Sequence, residues 1–306
     1  MKALKGPLLL LGTALLWGFA FVAQTSASEK IDPFTFNASR NFIGMLFLLA
    51  LISLRKRSGS DRAPTAVDSD SSYTKRTFIV SGIACGVILF ASSYLQQAGI
   101  TAYPAEAAAS GRSGFVTATY MVMVAVIMAF IGKRPHPLVF IAVGVALVGM
   151  YLLCVPDGLE NVYWGDWLVL ACALGFALHI IVIDRYTNVD GVRLSCMQLF
   201  VSGCLSLVFA LLFEHPDLAA VMSAIIPILY AGICSDGIAY TLQIIGQQFT
   251  DATVASIIMS LEAVFAALGG WLLLSESLTA TELFGCALVF AAVILSQVPS
   301  LSSKSS

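Results

Sequence analysis

The sequence predicts an all-α membrane protein with ten transmembrane helices, arranged as two inverted five-helix repeats. Three observations predict it. The 306 residues are 58% hydrophobic and only 11% charged. Apolar runs of roughly 20 residues, the length needed to cross about 30 Å of hydrocarbon, recur along the whole chain. Short sequence matches recur in the same order in its two halves.

A soluble domain carries about a quarter charged residues, more than twice the share found here. The net charge of −2 offers no basic excess to attract nucleic acid. The seven cysteines, Cys85, Cys154, Cys172, Cys196, Cys204, Cys234 and Cys286, all lie in apolar runs, and no two have CxxC spacing. They read as small packing residues rather than a disulfide framework or a zinc site, so no metal or cofactor is expected.

The apolar runs place spans at 7–28, 34–54, 77–98, 105–131, 137–155, 163–184, 192–213, 220–244, 252–274 and 280–298. Unbroken runs mean helices, since barrel strands would alternate. The first run follows Lys2 and Lys5 and precedes Thr25-Ser26-Ala27, which also resembles a secretory signal. The many later spans and an internal counterpart favour a retained helix. Ten spans place both termini on one side. With that side cytoplasmic, the inner loops hold Lys2, Lys5, Arg55, Lys56, Arg57, Arg62, Lys75, Arg76, Lys133, Arg134, Arg185, Arg193 and Lys304, against Lys30 alone outside. The imbalance follows the positive-inside rule and predicts a multi-pass protein of the cytoplasmic (inner) membrane. The loop 55–76, rich in Ser, Asp and basic residues, is predicted to be disordered.

Ala14–Ala20 (ALLWGFA) matches Ala171–Ala177 (ACALGFA) at four positions. Tyr94 and Gln97 match Tyr240 and Gln243 in spacing, and Gly144–Val148 matches Gly285–Val289 at four positions of five. This order predicts a first repeat over 1–155, a second over 156–298, and a cytoplasmic tail at 299–306. Five spans per repeat invert the second copy, a geometry that serves alternating access around a midplane site.

Further stretches carry a family resemblance: Trp17-Gly18, Arg40, Gln96-Gln97-Ala98-Gly99, Ala109–Phe115 (ASGRSGF), Ser260–Phe265 (SLEAVF) and Ser275-Glu276. In these the chain resembles the drug/metabolite transporter superfamily, EamA type, over essentially its whole length. Two departures stand out: Ala125 where many relatives have a mid-span proline, and Arg112 where many have lysine. The resemblance implies export or exchange of small metabolites, often amino acids or related compounds.

Ionisable groups inside spans are costly and therefore candidates for function. Glu262 lies mid-way along the ninth span, about 100° round from a small-residue stripe of Ala252, Ser256, Ser260, Ala263, Ala267 and Gly270. It reads as a site for a proton or a substrate amine, or as a structural tie. Arg112, with Thr119 on the same face, reads as a clamp for a substrate carboxylate, as a partner of Glu262 or Glu106, or as a snorkelling side chain. Arg40 reads chiefly as snorkelling or paired with Asp32. Asp236, Tyr240, Gln243 and Gln247 share an α-helical face that could line an inner vestibule or hydrogen-bond across helices. His179 reads as a packing residue. Trp17, Phe19, Phe115 and Tyr120 are candidate aromatic lining. The predicted substrate site is thus Arg112, Glu262, Trp17, Gln97, Thr119 and Tyr120, and the coupling pathway Glu262, Asp236, Tyr240 and Gln243.

The expected function is a secondary transporter of small solutes in a lipid bilayer, monomeric or homodimeric, with protons an open choice as coupling ion. Uptake is the alternative direction. No phosphate-binding GxxxxGK[ST], HExxH or GxSxG occurs. ATP-driven transport and a membrane-embedded enzyme therefore stand behind, as does a non-transport membrane protein. An Arg112–Glu262 site would favour zwitterionic substrates.

Overall fold

The computed structural model describes residues 2–57, 71–104, 109–133, 135–154, 162–273 and 279–302. Among them every regular element is a helix. Most of the predicted disordered loop, Glu106, Ser275, Glu276, the 155/156 repeat boundary and the end of the tail lie outside the described residues.

The first half holds α1 (Lys2–Ser28), α2 (Pro33–Arg57), α3 (Ser71–Thr101), α4 (Ala109–Ala118), α5 (Tyr120–Phe130) and α6 (Pro137–Cys154). The second holds α7 (Trp164–Arg185), α8 (Gly191–Phe213), the short α9 (Leu218–Ser223), α10 (Ile225–Leu229), a π-helical segment (Tyr230–Ala239), α11 (Tyr240–Gln247), α12 (Ala252–Met259), α13 (Glu262–Leu273) and α14 (Ala280–Ser302). Among the described residues nine helical stretches are long and apolar enough to cross a membrane, and Pro137–Leu153 is a shorter apolar helix where the fifth span was expected. The eighth span begins at Ile225 rather than at 220, because α9 forms a separate turn capped by the Asp217 carboxylate.

The distribution of polarity is that of a protein in lipid. Leu46, Phe130, Leu211, Leu212, Ile226 and Ile294 face outward, while Gln97, His179, Ser202, Asp236 and Gln243 are buried. With no water to meet them, several of these groups find partners across helices. Asn41 donates to Ser202 Oγ at 3.0 Å, joining α2 to α8.

Two groups of helices emerge from the packing. α4, α5, α6, α12, α13 and α14, which form the fourth, fifth, ninth and tenth spans, pack on one another. The remaining six spans form the second group, through the pairings α2 with α8, α3 with α7 and α8, and α1 and α2 with the eighth span. The groups meet along α1 against α12 and α13, and along α7 against α4 and α5. Within the first group, α6 and α14 approach backbone to backbone at Gly149 and Gly285. A Cβ on Gly149 would stand 2.8 Å from the Gly285 carbonyl, and one on Gly285 would stand 2.5 Å from the Gly149 carbonyl.

A carboxylate ties the end of α8 to the start of α2. Glu214 accepts from the backbone N–H groups of Phe34 and Thr35, both at 2.8 Å, and from the Thr35 hydroxyl at 2.7 Å. The first N–H groups of a helix have no partner within it, and a charged acceptor there makes strong bonds.

The α6–α14 crossing yields a paired prediction. Gly149→Ala should lower the thermal unfolding midpoint of the detergent-solubilised protein, by overpacking worth about 1–3 kcal/mol. Gly144→Ala, where an added Cβ meets nothing within 4 Å, should leave the midpoint unchanged or raise it slightly, as expected from alanine's better helix propensity.

Candidate functional site

The site is organised by two helix breaks. The fourth span is interrupted at Thr119 and the ninth at Ser260-Leu261, both without proline. The backbone has the same form at each: Thr119 at φ −60°, ψ −13° and Ser260 at φ −61°, ψ −13°. These values are tighter than α-helical and lie near the 3₁₀ turn. Accordingly Thr119 N–H donates to the Val116 carbonyl and Leu261 N–H to the Ile258 carbonyl, each three residues back. The side chains reinforce the turn, since the Thr119 and Ser260 hydroxyls donate to the Val116 and Ile257 carbonyls at 2.6 and 2.7 Å. Hydroxyl back-bonding of this sort bends helices. The fourth span is thus interrupted at Thr119, with alanine rather than proline at position 125.

The residue next to each break faces a central cavity. Tyr120 begins α5 and Glu262 begins α13, and both line it. The Tyr120 hydroxyl lies beside the Glu262 carboxyl without forming a well-aligned hydrogen bond. Opposite stand Trp17, Phe21 and Gln24 of α1, Arg40 of α2, Gln96 of α3 and Phe176 of α7, and the eighth span adds Ser235, Tyr240 and Gln243. The cavity therefore lies between the two helix groups, walled by both. It holds about 440 Å³ of non-atom space, mouth included, of which about 30 Å³ is open to the centre of a water-sized sphere. The latter is room for roughly two or three waters.

Gly18 sets the distance between α1 and the second break. A Cβ there would stand 2.8 Å from the Glu262 carbonyl and 2.8 Å from Ala266 N. The absence of a side chain lets α1 lie against the backbone that carries Glu262, and places Trp17 beside the cavity. The Trp17 and Tyr240 rings meet edge to face, 5.0 Å between centroids.

Two ion pairs flank this region and differ in character. Arg40 is 2% exposed and Asp236 fully buried. Their closest approach, Nε to Oδ2, is 3.6 Å, and neither Arg40 Nε nor either Asp236 oxygen has a hydrogen-bond partner. Arg112 is held tightly by Asp166 of α7, with Nε to Oδ1 at 2.6 Å and Nη2 to Oδ2 at 2.7 Å. The Tyr103 hydroxyl donates to Asp166 Oδ1 at 2.9 Å, Tyr163 N–H donates to Oδ2 at 2.8 Å, and the Arg112 guanidinium stacks over the Tyr163 ring. Burial, and then the neighbouring Asp166 carboxylate, push the Tyr103 phenol well above its usual range, which keeps it protonated as a donor.

Of the predicted site residues, the structure brings Trp17, Tyr120, Tyr240, Gln243 and Glu262 together around the cavity. Thr119 is the residue at the helix break beside it. Gln97 is fully buried and donates to the Gln24 carbonyl at 3.1 Å, while its neighbour Gln96 faces the cavity and bonds Thr117. Arg112 is not among the lining residues and pairs with Asp166 rather than Glu262. Asp236 pairs with Arg40, and Gln247 donates to the Ile180 carbonyl at 2.9 Å. The single polar face drawn through Asp236, Tyr240, Gln243 and Gln247 assumed α-helical turns, whereas the chain from Tyr230 to Ala239 has the wider i→i+5 turn. His179 packs at 5.8 Å from the Tyr240 ring and shares a 3.0 Å hydrogen bond with Gln198. The small-residue stripe of the ninth span packs inside the chain, with Ala252, Ser256, Ser260 and Ala263 fully buried.

Sequence reasoning missed Arg40 as a cavity residue and Asp166 as the partner of Arg112. Asp166 was findable, because it is an acidic residue inside the predicted span 163–184 and the test that singled out Glu262 applies to it equally.

The comparisons with known proteins agree with this architecture. The model of the EamA-like transporter family matches residues 4–155 and again residues 163–297. The chain belongs to the EamA-like transporter family. An "Uncharacterized transporter" of Archaeoglobus fulgidus is 29% identical over 297 residues, covering 96% of this chain and 86% of the relative. The "Uncharacterized transporter YoaV" of Bacillus subtilis is 23% identical over 294 residues, 94% of each chain. A crystal structure matches with a TM-score of 0.75 at 19% identity, covering 95% of this chain and 98% of the other, which shows a shared fold.

The buried pair gives a stability prediction. Arg40→Met should destabilise the protein by about 3–5 kcal/mol, since it strands Asp236 in the interior. Arg40→Met combined with Asp236→Leu should recover much of that loss, as read from unfolding midpoints of the purified variants.

Proposed function

We propose that the protein is a secondary transporter that moves small metabolites, amino-acid-like or related solutes, out of the cell or in exchange across the cytoplasmic membrane. The observation that carries the reading is the central cavity: it lies between two helix groups, is lined by both, and is bounded by the breaks in the fourth and ninth spans. Interrupted spans at a repeat interface are where carriers place their substrate.

The packing also supports two inverted five-helix repeats, over 1–155 and 156–298. Exchanging each span with the one five places on maps the largest of the observed pairings onto one another. The third span on the sixth corresponds to the eighth on the first, and the third on the seventh to the eighth on the second. The first on the ninth corresponds to the sixth on the fourth, and the second–seventh and fifth–tenth pairs map to themselves. The two breaks, with matching dihedrals, fall in corresponding spans. The excess of Lys and Arg at the end of the bundle where α1 begins supports cytoplasmic termini.

In this reading the cavity is reached from each side in turn as the two groups rock, bending at Thr119 and Ser260. The Arg112–Asp166 pair joins α4 of one group to α7 of the other at the end where α1 finishes, and acts as the outer latch. Trp17, Tyr120, Tyr240, Gln243 and Glu262 contact the solute.

The test is counterflow in proteoliposomes loaded in turn with amines, amino acids, nucleosides and sugars. At least one class should exchange, and Gly18→Val, which forces α1 off the Glu262 backbone, should abolish exchange. Exchange of no class at all would sink the transporter reading. Arg112→Gln and Asp166→Asn should each make the cavity more accessible from the outer side, read as faster labelling of a cysteine placed at Gln24 in a cysteine-free background. Labelling unchanged in both variants would remove the latch.

A further inference from the structure

A carrier that alternates between sides closes its cavity twice in each cycle, once around solute and once without it. The solute-free closure buries whatever charge the empty walls carry. Two carboxylates and one guanidinium are involved: Arg40 and Glu262 line the cavity, and Asp236 lies 3.6 Å from Arg40. However the three interact, they sum to one negative charge. Glu262 bears it most directly. It is 3% exposed, its Oε1 has no hydrogen-bond partner, and it forms no ion pair among the described residues, where Arg40 and Arg112 approach Asp236 and Asp166 instead.

Nothing else around Glu262 supplies the balance. Tyr120 of α5 and Tyr240 of α11 line the same cavity, and Cys172 of α7 stands near; phenols and thiols are ordinarily neutral at pH 7. α1, α4 and α6, which pack on α13, present no titratable side chain to the cavity. His179 of α7 is not a lining residue; it is bonded to Gln198, with its ring 5.8 Å from that of Tyr240. A carboxylate closed in the bilayer interior without a cation is strongly disfavoured. The roughly two or three waters that the closed cavity can hold are too few to surround a hydrated ion, whereas a proton needs one oxygen. Glu262 also stands in the first turn of α13, where the positive end of the helix dipole favours the anion, so a proton taken up there can leave again.

Resting on the transporter reading, we propose that Glu262 carries a proton in the solute-free step, so that solute and proton cross the membrane in opposite directions, one for one. Solute entering from the cytoplasm meets the Glu262 carboxyl, and the proton leaves to the cytoplasm. Once solute departs on the outer side, the carboxylate takes a proton there, the cavity closes neutral, and the return delivers that proton inward. Solute and proton compete because Glu262 faces the space that solute fills. The Tyr120 hydroxyl beside it is placed to donate to the ionised carboxylate and to accept from the protonated one.

The test uses proteoliposomes of the purified full-length protein, with the membrane potential clamped at zero by potassium and valinomycin. Phenethylamine, phenylalanine, uridine and glucose are the probes, each first assayed for counterflow at equal pH on both sides. A probe that exchanges should accumulate in vesicles with an acid lumen, by about tenfold over protein-free vesicles for a gradient of about one pH unit. Its entry should raise the luminal pH, read by trapped pyranine. Glu262→Gln, neutral without a proton, should abolish the accumulation and Glu262→Asp should keep it, with folding of both checked by the unfolding midpoint. His179→Gln should leave it unchanged. The proposal is overturned if an exchanging probe fails to accumulate, if it accumulates in an alkaline lumen instead, or if accumulation survives in a folded Glu262→Gln. If Glu262→Gln does not fold, the direction of accumulation by the unsubstituted protein decides. Counterflow without accumulation sinks this proposal and leaves the transporter reading standing, whereas counterflow of no probe sinks both.

Discussion

Hydrocarbon offers no hydrogen bonds, and that constraint decides most of this structure. Each backbone N–H and C=O in the bilayer must find its partner inside the protein, so every regular element described is a helix. Departures from α geometry are confined to protected positions. The tightened turns at Thr119 and Ser260 and the widened turn from Tyr230 to Ala239 lie among buried residues, and their neighbours Tyr120, Glu262 and Tyr240 line the cavity. The hydroxyls of Thr119 and Ser260 donate to carbonyls three residues back, so the polar groups at the two breaks remain bonded.

The same constraint explains which parts were legible in the sequence. Span number and position follow from length and hydropathy alone, so the ten runs are readable with boundaries a few residues out. Glu262 is readable as a candidate because a carboxylate in an apolar run is costly. The partners were not. Arg40 reads in the sequence as snorkelling or paired with Asp32, its near neighbour in the chain, but meets Asp236 from the other half. Arg112 reads in the sequence as a carboxylate clamp, a partner of Glu262 or Glu106, or a snorkelling side chain, but meets Asp166 across 54 residues. Which helix faces which is a property of packing, carried by close approaches such as Gly18 on Glu262 and Gly149 on Gly285, whose significance appears only once both helices are in place. The shared face read through Asp236, Tyr240, Gln243 and Gln247 presumes one turn width, whereas the eighth span uses two; Tyr240 and Gln243 line the cavity and Gln247 bonds across to α7.

The two ion pairs show how geometry rather than residue type sets the part a charge plays. Arg112 and Asp166 make two short parallel bonds, with a phenol and a backbone N–H completing the carboxylate. Arginine's planar fork suits such a joint. Arg40 and Asp236 are more deeply buried yet 3.6 Å apart, with hydrogen bonds unmade. A pair of that kind contributes little net stability, and it leaves electrostatic capacity in the interior that a close-fitted pair would have consumed.

The Glu214 carboxylate, bonded to the first turn of α2, makes the start of that helix mechanically continuous with the end of α8. Arg40 sits about two turns further along α2, and α2 packs closely on the π-helical segment, where a Cβ on Gly44 would stand 2.7 Å from the Gly232 carbonyl. The polar connection after α8 is thus one end of a lever whose other end bears a charge on the cavity wall. Whatever grips that connection from the aqueous side has purchase on the protein's interior without entering it.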